Sequence, residues 1–491
     1  MKYKSKLLYK LGAVTIFCCF LLLRLTGIFT DMSNSDAWRW HSRSEDFYQG
    51  IKTGNLKETY QRYHPGVTLM WLSSFVRVGL SAYAKIGGTE YKSLENVEGY
   101  ILQDGLSKCV LVLCLLGLLI YQFRLINKMY GTACALVFGI FMSTEPYLVG
   151  IDRWYHITSL EAYLSFAAFL SVLYWKQNKS NRSLIHGGIF LGLALLTRFS
   201  SIIVGVLCFP MLYAATRGSW KLFVRTSATF FALSLAVVLV LFPALLMYPA
   251  YVVGKLLNAG GDTFTGGYTT VLYAQKFPLL FYPSVLLAKL SPITVVLLVM
   301  SLINMTVGRT RRGLWFIFYI LTYLIVFSTA DQKIERYVVG IIPPIILVIS
   351  LVISEPRNAT KYLLIGISLL LSLVVYTEYY PFLSAYYSPF INGVAGAWKL
   401  GLLDTNGEYY AQAAQYLNSK GRQVVVYVPS NSQSFLPYYK GVFQDRLTPQ
   451  TQYVVTSIDS SRTVDDFPNC TNVEKSYTID KVIYLTIYKC L

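Results

Sequence analysis

Charge is scarce in this sequence. Lys, Arg, Asp and Glu make up 14% of its 491 residues, 54% are hydrophobic, and mean hydropathy is +0.47. That balance excludes a soluble globular protein of this length, whose surface would carry about a quarter of its residues as charges. Acidic residues are the scarcer sign, 25 against 43 basic ones, for a formal net charge of +18. The basic residues fall in short clusters between apolar runs rather than along one face, so no nucleic-acid partner is expected. The eight cysteines contain no CxxC pair and have no histidine partner. Cys18, Cys19, Cys109, Cys114, Cys134 and Cys208 lie in apolar segments as small hydrophobes. Only Cys470 and Cys490 sit in a polar region, where they could form a disulfide if that region is exported. What is abundant is Tyr (39) and Phe (28), as suits many crossings of a membrane interface.

A span needs about 20 mostly apolar residues. The first, Leu7 to Phe29, follows Lys2, Lys4, Lys6 and Lys10, which keeps the N-terminus in the cytoplasm. Arg24 and the lack of a small-x-small cleavage site make it an uncleaved anchor. Residues 30–105 form a polar outer loop, with an amphipathic stretch from Val67 to Lys85 read as a helix lying on the membrane surface. Further spans read as roughly 106–126, 132–150, 157–175, 184–197, 200–215, 226–247, 283–306, 314–329, 338–353 and 361–377, about eleven in all. Every second one ends in basic residues: Arg124 and Lys128; Lys176, Lys179 and Arg182; Arg217, Lys221 and Arg225; Arg309, Arg311 and Arg312; Arg357 and Lys361. The positive-inside rule then places the C-terminal region outside the cytoplasm. The spacing predicts a membrane core over 1–377 and an extracytoplasmic α/β domain over 378–491, with a helix at Tyr409 to Lys420 and strands at Val424 to Val428, Tyr453 to Ser457 and Lys481 to Lys489. The expected setting is a multi-pass protein of a plasma membrane.

With that topology, the polar groups not explained as cytoplasmic anchors fall on the outer side. They are Asp31, Asp36, His64-Pro65-Gly66, Asp152-Arg153 with His156, Arg198, the Gly260 to Gly267 stretch, and Asp331 to Arg336. Charges at a membrane boundary are costly unless solvated, paired or used, so their clustering points to one outer site.

The motifs around them resemble a known group. Asp36-Ala37-Trp38-Arg39-Trp40 runs on to Arg43-Ser44, and His64-Pro65-Gly66-Val67-Thr68-Leu69-Met70-Trp71 follows. Arg153-Trp154-Tyr155-His156, Leu195-Leu196-Thr197-Arg198 and Lys333-Ile334-Glu335-Arg336-Tyr337 with Pro343-Pro344 extend the pattern down the chain. Together they resemble the GT-C fold membrane glycosyltransferases related to dolichyl-phosphate-mannose protein mannosyltransferases and lipid A aminoarabinose transferases. Two positions depart from the pattern: Ala37 stands where relatives have an acidic residue, and Thr158 where they have His-x-Asp. Both changes remove a carboxylate and weaken the case for a divalent metal, so no cofactor is expected.

The resemblance implies sugar transfer from a polyprenyl-phosphate donor with inversion, onto a protein, a lipid-linked glycan or an envelope polymer. Asp36 would be the general base. Arg198, Lys333 and Arg336 would hold the lipid phosphate. Arg43, His64, Arg153, His156 and Tyr337 would contact substrate. Plainer readings exist for each: Asp36 as a helix N-cap, the cations snorkelling to lipid headgroups or pairing with Asp331 and Glu335, and His64 as part of a turn. Rival functions are a secondary transporter, which would show internal repeats and broken helices, neither of which the sequence displays; an enzyme transferring a whole glycan; and a non-catalytic relative.

Overall fold

The computed structural model describes residues 2–30, 34–62, 64–88, 91, 96–216, 218–265, 271–306, 312–354, 360–460 and 466–490. Asp31 and the end of the Gly260 to Gly267 stretch lie outside these.

The hub of the helical body is Ile157–Asn178, which is apolar on every side and almost entirely buried. A helix without a polar face belongs in the middle of a bundle. Around it pack Val97–Tyr130, Asn181–Thr197 and Ile202–Ala215. Asn181–Thr197 carries Gly188 and Gly192 on the face toward Trp220–Leu241. A Cβ at Gly188 would sit 2.8 Å from the Phe230 carbonyl oxygen and one at Gly192 2.6 Å from that of Ser234. Only glycine admits so close a backbone approach, a common packing device between membrane helices.

Five described helices are long and apolar enough to cross a membrane, six if the bent pair Thr132–Thr144 and Pro146–Asp152 counts as one span. Phe199–Ala215, Pro292–Thr306, Leu314–Thr329 and Leu363–Tyr379 are shorter apolar helices at four further spans read from the sequence. Val67–Ile86, read there as a surface helix, has 20 residues and meets the same length and composition test. The span expected at 106–126 starts earlier, at Val97, in a helix of 34 residues, about 51 Å long at 1.5 Å per residue.

Contrary to the sequence reading, two helices are broken. The first bends by 65° at Glu145, where Pro146 forces the preceding residue into an extended conformation. The second is interrupted between Phe281–Lys289 and Pro292–Thr306. The breaks face each other: the buried Glu145 carboxylate accepts hydrogen bonds from the Ser291 N–H (2.7 Å), the Ser291 hydroxyl (2.9 Å) and the Thr294 hydroxyl (2.6 Å). A carboxylate at a helix N-terminus satisfies donors that the break leaves open.

Arg24 is fully buried. It bonds Asp152 (Nη2–Oδ2 2.7 Å) and the carbonyls of Ser143 and Met142, while Tyr163 donates to the same Asp152 oxygen at 2.9 Å. Removing one partner strands a charge in an apolar core. Asp152→Ala is expected to cost about 3–5 kcal/mol, read as a loss of thermal stability in detergent. Replacing both, Arg24→Met with Asp152→Leu, should recover most of it.

The C-terminal region forms a five-stranded mixed sheet from β1 (Val425–Tyr427), β2 (Val442–Gln444), β3 (Tyr453–Ser457), β4 (Asn472–Ile479) and β5 (Val482–Lys489), in the order β2-β1-β3-β5-β4. The first three strands run parallel, and β5 lies antiparallel to both β3 and β4. Helix Tyr410–Asn418 packs its buried face on the sheet, and Cys470 is disulfide-bonded to Cys490. Residues between Phe382 and Leu403 share the helical body's core rather than the sheet's.

Candidate active site

Asp36 occupies the N-cap position of helix Ala37–Thr53, yet its side chain makes no capping bond. The carboxylate turns away to Arg336 (Nη2–Oδ2 2.6 Å) and Arg39 (Nη1–Oδ1 3.2 Å). Its backbone is pinned from two sides. The Asp36 N–H donates to Asn34 Oδ1 (2.9 Å), Asn34 Nδ2 donates to the Tyr155 carbonyl, and the Ser35 N–H donates to the Asn406 carbonyl of the C-terminal region. Burial alone would raise the Asp36 carboxyl, but Arg336, His156, Arg39 and Arg43 outweigh it and hold the group below the usual carboxylate range.

The cations come from separate elements. Arg336 lies in the first turn of the short helix Glu335–Ile341. Arg43, one helical turn from Arg39, lies over the Trp40 ring (4.6 Å). Arg198 follows the end of Asn181–Thr197, is buried, and stacks on Tyr337 with 3.7 Å between guanidinium and ring centre; its Nε has no partner among the described residues. His64 lies among Arg198, His156, Arg336 and Arg43; burial and those charges push its pKa well down. The turn after His64 needs Gly66, at φ +60°, because a Cβ there would meet the Trp40 ring at 2.1 Å. The Gly66 N–H donates to the Thr197 carbonyl, and Thr68 and Thr197 share a hydroxyl bond of 2.6 Å, which joins the two motifs.

His156, buried, approaches Asp36 with Nε2 at 3.6 Å from Oδ2. Asp36, Arg336, Arg198, Arg43, His64, His156 and Tyr337 thus gather at one place. Two other residues singled out from the sequence point elsewhere. Lys333 donates to the carbonyls of Phe327 (3.2 Å), Ser328 (2.6 Å) and Ala330, so its ammonium caps the end of helix Leu314–Thr329. Arg153 donates to the Leu23 carbonyl at 2.9 Å and lies 5.6 Å over the Tyr380 ring, tying the first helix to the C-terminal segment.

Sequence reasoning missed two clusters. His41 bonds Asp104 (2.9 Å), whose other oxygen pairs with Lys108 (2.6 Å), while His41 stacks on Tyr155 at 4.0 Å. This buried group fastens helix Ala37–Thr53 to Val97–Tyr130, and the i,i+4 spacing of Asp104 and Lys108 was its only local sign. The second cluster lies in the seam with the C-terminal region. Lys289 pairs with Glu335 (3.2 Å), Tyr387 donates to Glu335 and receives the Asp404 N–H, and Glu408 receives the Asn406 N–H.

Burial pushes both Asp404 and Glu408 up to about 7, with Glu335 adding to the effect on Asp404. Their folded pKa values lie above the unfolded carboxylate range of about 4. The native state therefore holds protons that the unfolded chain releases, and stability falls as pH rises from about 4 through 7. The melting temperature is expected to drop between pH 5.5 and 8, by less in Asp404→Asn.

Among the described residues no group of three or more His, Cys, Asp and Glu side chains could hold a metal ion. An apolar cleft of about 690 Å³ is lined by Thr68, which bonds Thr197, and by Trp71, Cys114, Leu160, Leu193 and Arg124. Its walls are helices Val67–Ile86, Val97–Tyr130, Ile157–Asn178, Asn181–Thr197 and the end of Trp220–Leu241.

No family model and no curated protein sequence matches this chain. Solved structures do. ArnT from Cupriavidus metallidurans bound to undecaprenyl phosphate superposes with a TM-score of 0.53 at 12% identity, covering 97% of each chain. The Archaeoglobus fulgidus oligosaccharyltransferase in its apo form gives 0.51 at 11% identity, covering 94% of this chain and 70% of that one. The match runs through the helical body and the C-terminal sheet alike: the chain is a multi-pass membrane protein with the GT-C fold.

Proposed function

We propose that this protein transfers a sugar from a polyprenyl-phosphate donor to an acceptor hydroxyl on the extracytoplasmic side of a plasma membrane, inverting the anomeric carbon, with Asp36 as general base. One observation carries the reading: the buried Asp36 carboxylate faces Arg336, Arg39 and Arg43, and Thr68, bonded to Thr197 next to Arg198, lines a long apolar cleft. An amphiphile with an anionic head fits that combination, with its chain in the cleft and its phosphate at Arg198 and Arg336. ArnT, similar in fold, was solved with undecaprenyl phosphate bound, and the oligosaccharyltransferase supports sugar chemistry on this fold. The Cys470–Cys490 disulfide supports an exported C-terminal domain and hence a cytoplasmic N-terminus. The acceptor is a protein, a lipid-linked glycan or an envelope polymer.

In the reaction the acceptor oxygen attacks the anomeric carbon and gives its proton to Asp36. The bond from that carbon to the phosphate oxygen breaks, and the phosphate leaves with the electron pair. One general base suffices and no general acid is needed, because the phosphate leaves without being protonated. Arg336 is shared: it holds Asp36 ionised in the ground state and turns to the phosphate as negative charge builds there, so the carboxylate becomes more basic as the proton reaches it. His64 and Arg43 add to the same charged cluster, and Tyr337 supports Arg198. Lys333 and Arg153 act as structural ties.

Among the described residues the broken helices are a transporter-like feature. Glu145 is satisfied within the protein by Ser291 and Thr294, which leaves the break closed rather than lining a path.

The test is binding of undecaprenyl phosphate and of undecaprenol to purified protein, read as thermal stabilisation. The phosphate lipid should stabilise and the alcohol should not. Arg198→Met should weaken binding about 10- to 100-fold, the scale of one charged hydrogen bond. Equal stabilisation by the alcohol, or unchanged affinity in the variant, would contradict the assignment.

A further inference from the structure

His156 stands beside Asp36, and what it can do there depends on which ring nitrogen carries the proton. Thr158 decides it. The Thr158 hydroxyl lies 2.8 Å and its backbone N–H 3.2 Å from Nδ1. A peptide N–H only donates, so Nδ1 accepts and the neutral ring carries its proton on Nε2, the nitrogen facing Asp36. Trp40 and Trp154 meet the ring edge-on at 6.0 and 6.4 Å and hold its plane. The 3.6 Å from Nε2 to Asp36 Oδ2 is too long for a hydrogen bond, and short enough for both groups to address one oxygen between them.

We propose that Thr158 is a positioning residue, which locks His156 as the Nε2–H tautomer so that Nε2 donates to the acceptor oxygen while Asp36 takes that oxygen's proton. The role in transfer rests on the glycosyltransferase reading; the tautomer does not. A second proton on Nδ1 would break the bond from the Thr158 peptide N–H and turn the hydroxyl from donor to acceptor. It would also place a charge in a buried site facing Arg336, Arg198, Arg43 and His64, against the single carboxylate Asp36. Burial and those cations push His156 well below the ordinary histidine range. A carboxylate at position 158 can only accept, so it would compete with the peptide N–H and favour a proton on Nδ1, leaving Nε2 an acceptor.

The experiment is nitrogen-15 NMR of histidine-labelled protein in lipid, simplified by there being 4 histidines in the chain, together with transfer kinetics. Wild type and Thr158→Ser should show an unprotonated Nδ1 and a protonated Nε2 on His156 from pH 5 to 8. Thr158→Asp should move the proton to Nδ1 or make the ring titrate. In kinetics, Thr158→Ser should keep kcat and Thr158→Val should lower it about tenfold, the scale of one hydrogen bond, with donor KM little changed. A wild-type ring protonated on Nδ1, titrating near about 6.5, or indifferent to Thr158→Asp overturns the proposal even if transfer is robust. Wild type that consumes no donor overturns the role in transfer and the function with it, while the spectra still decide the tautomer.

Discussion

Asp36→Asn protein, folded and inserted like wild type, is expected to lose sugar transfer by about 10²- to 10⁴-fold in kcat, the range a positioned general base supplies. The amide has the same shape and can still accept from Arg336 through its oxygen, so the contact that orients residue 336 survives. What it cannot do is take the acceptor's proton. Donor affinity should hold or improve, since a negative charge beside the phosphate site has been removed. A fall in kcat without a rise in donor KM is the signature of an interaction made only as the reaction proceeds. Were Asp36 instead a plain N-cap, the change would cost stability and leave kcat alone; its missing capping bond already argues against that.

Arg336→Met is expected to lower kcat/KM about 10²- to 10³-fold, the scale of one preorganised donor at developing charge. Two losses combine. The leaving phosphate loses a buried guanidinium, and Asp36 loses the 2.6 Å partner that is the foremost of the groups lowering its pKa. With burial then less opposed, the carboxyl moves upward, and the acid limb of the pH profile moves to higher pH with it. In wild type the limb should lie below the usual carboxylate range, because Asp36 is held under it. Arg336→Lys should rescue little, because a compact ammonium cannot reproduce a planar fork shared between carboxylate and phosphate.

Much of this site was legible in the chain because its residues sit at motif positions next to apolar runs: Asp36 before an amphipathic helix, His64 before a Pro-Gly turn, Arg198 at the end of one hydrophobic segment and Arg336 before another. Position along the chain did not reveal direction. Lys333 and Arg336 are three residues apart, yet one caps a helix and the other reaches Asp36. Arg153 and His156 diverge in the same way. The seam through Asp404 and Glu408 was hidden because it joins residues far apart in sequence and lies in a segment that reads as ordinary exported loop. The breaks at Glu145 and Ser291 were hidden by hydrophobicity that continues across them, although Pro146 and Pro292 marked both places. Strands β2 and β4 were missed because their faces are largely exposed and lack the apolar signal of β3 and β5.

Radiolabelled polyprenyl-phosphate sugars supplied to membranes holding wild type or Asp36→Asn test the central claim most directly, with label followed from the lipid fraction to acceptor. The expected result is transfer by wild type, with inverted anomeric configuration in the product, that vanishes in the variant. Undiminished transfer by the variant, or no donor consumed by wild type, would contradict it.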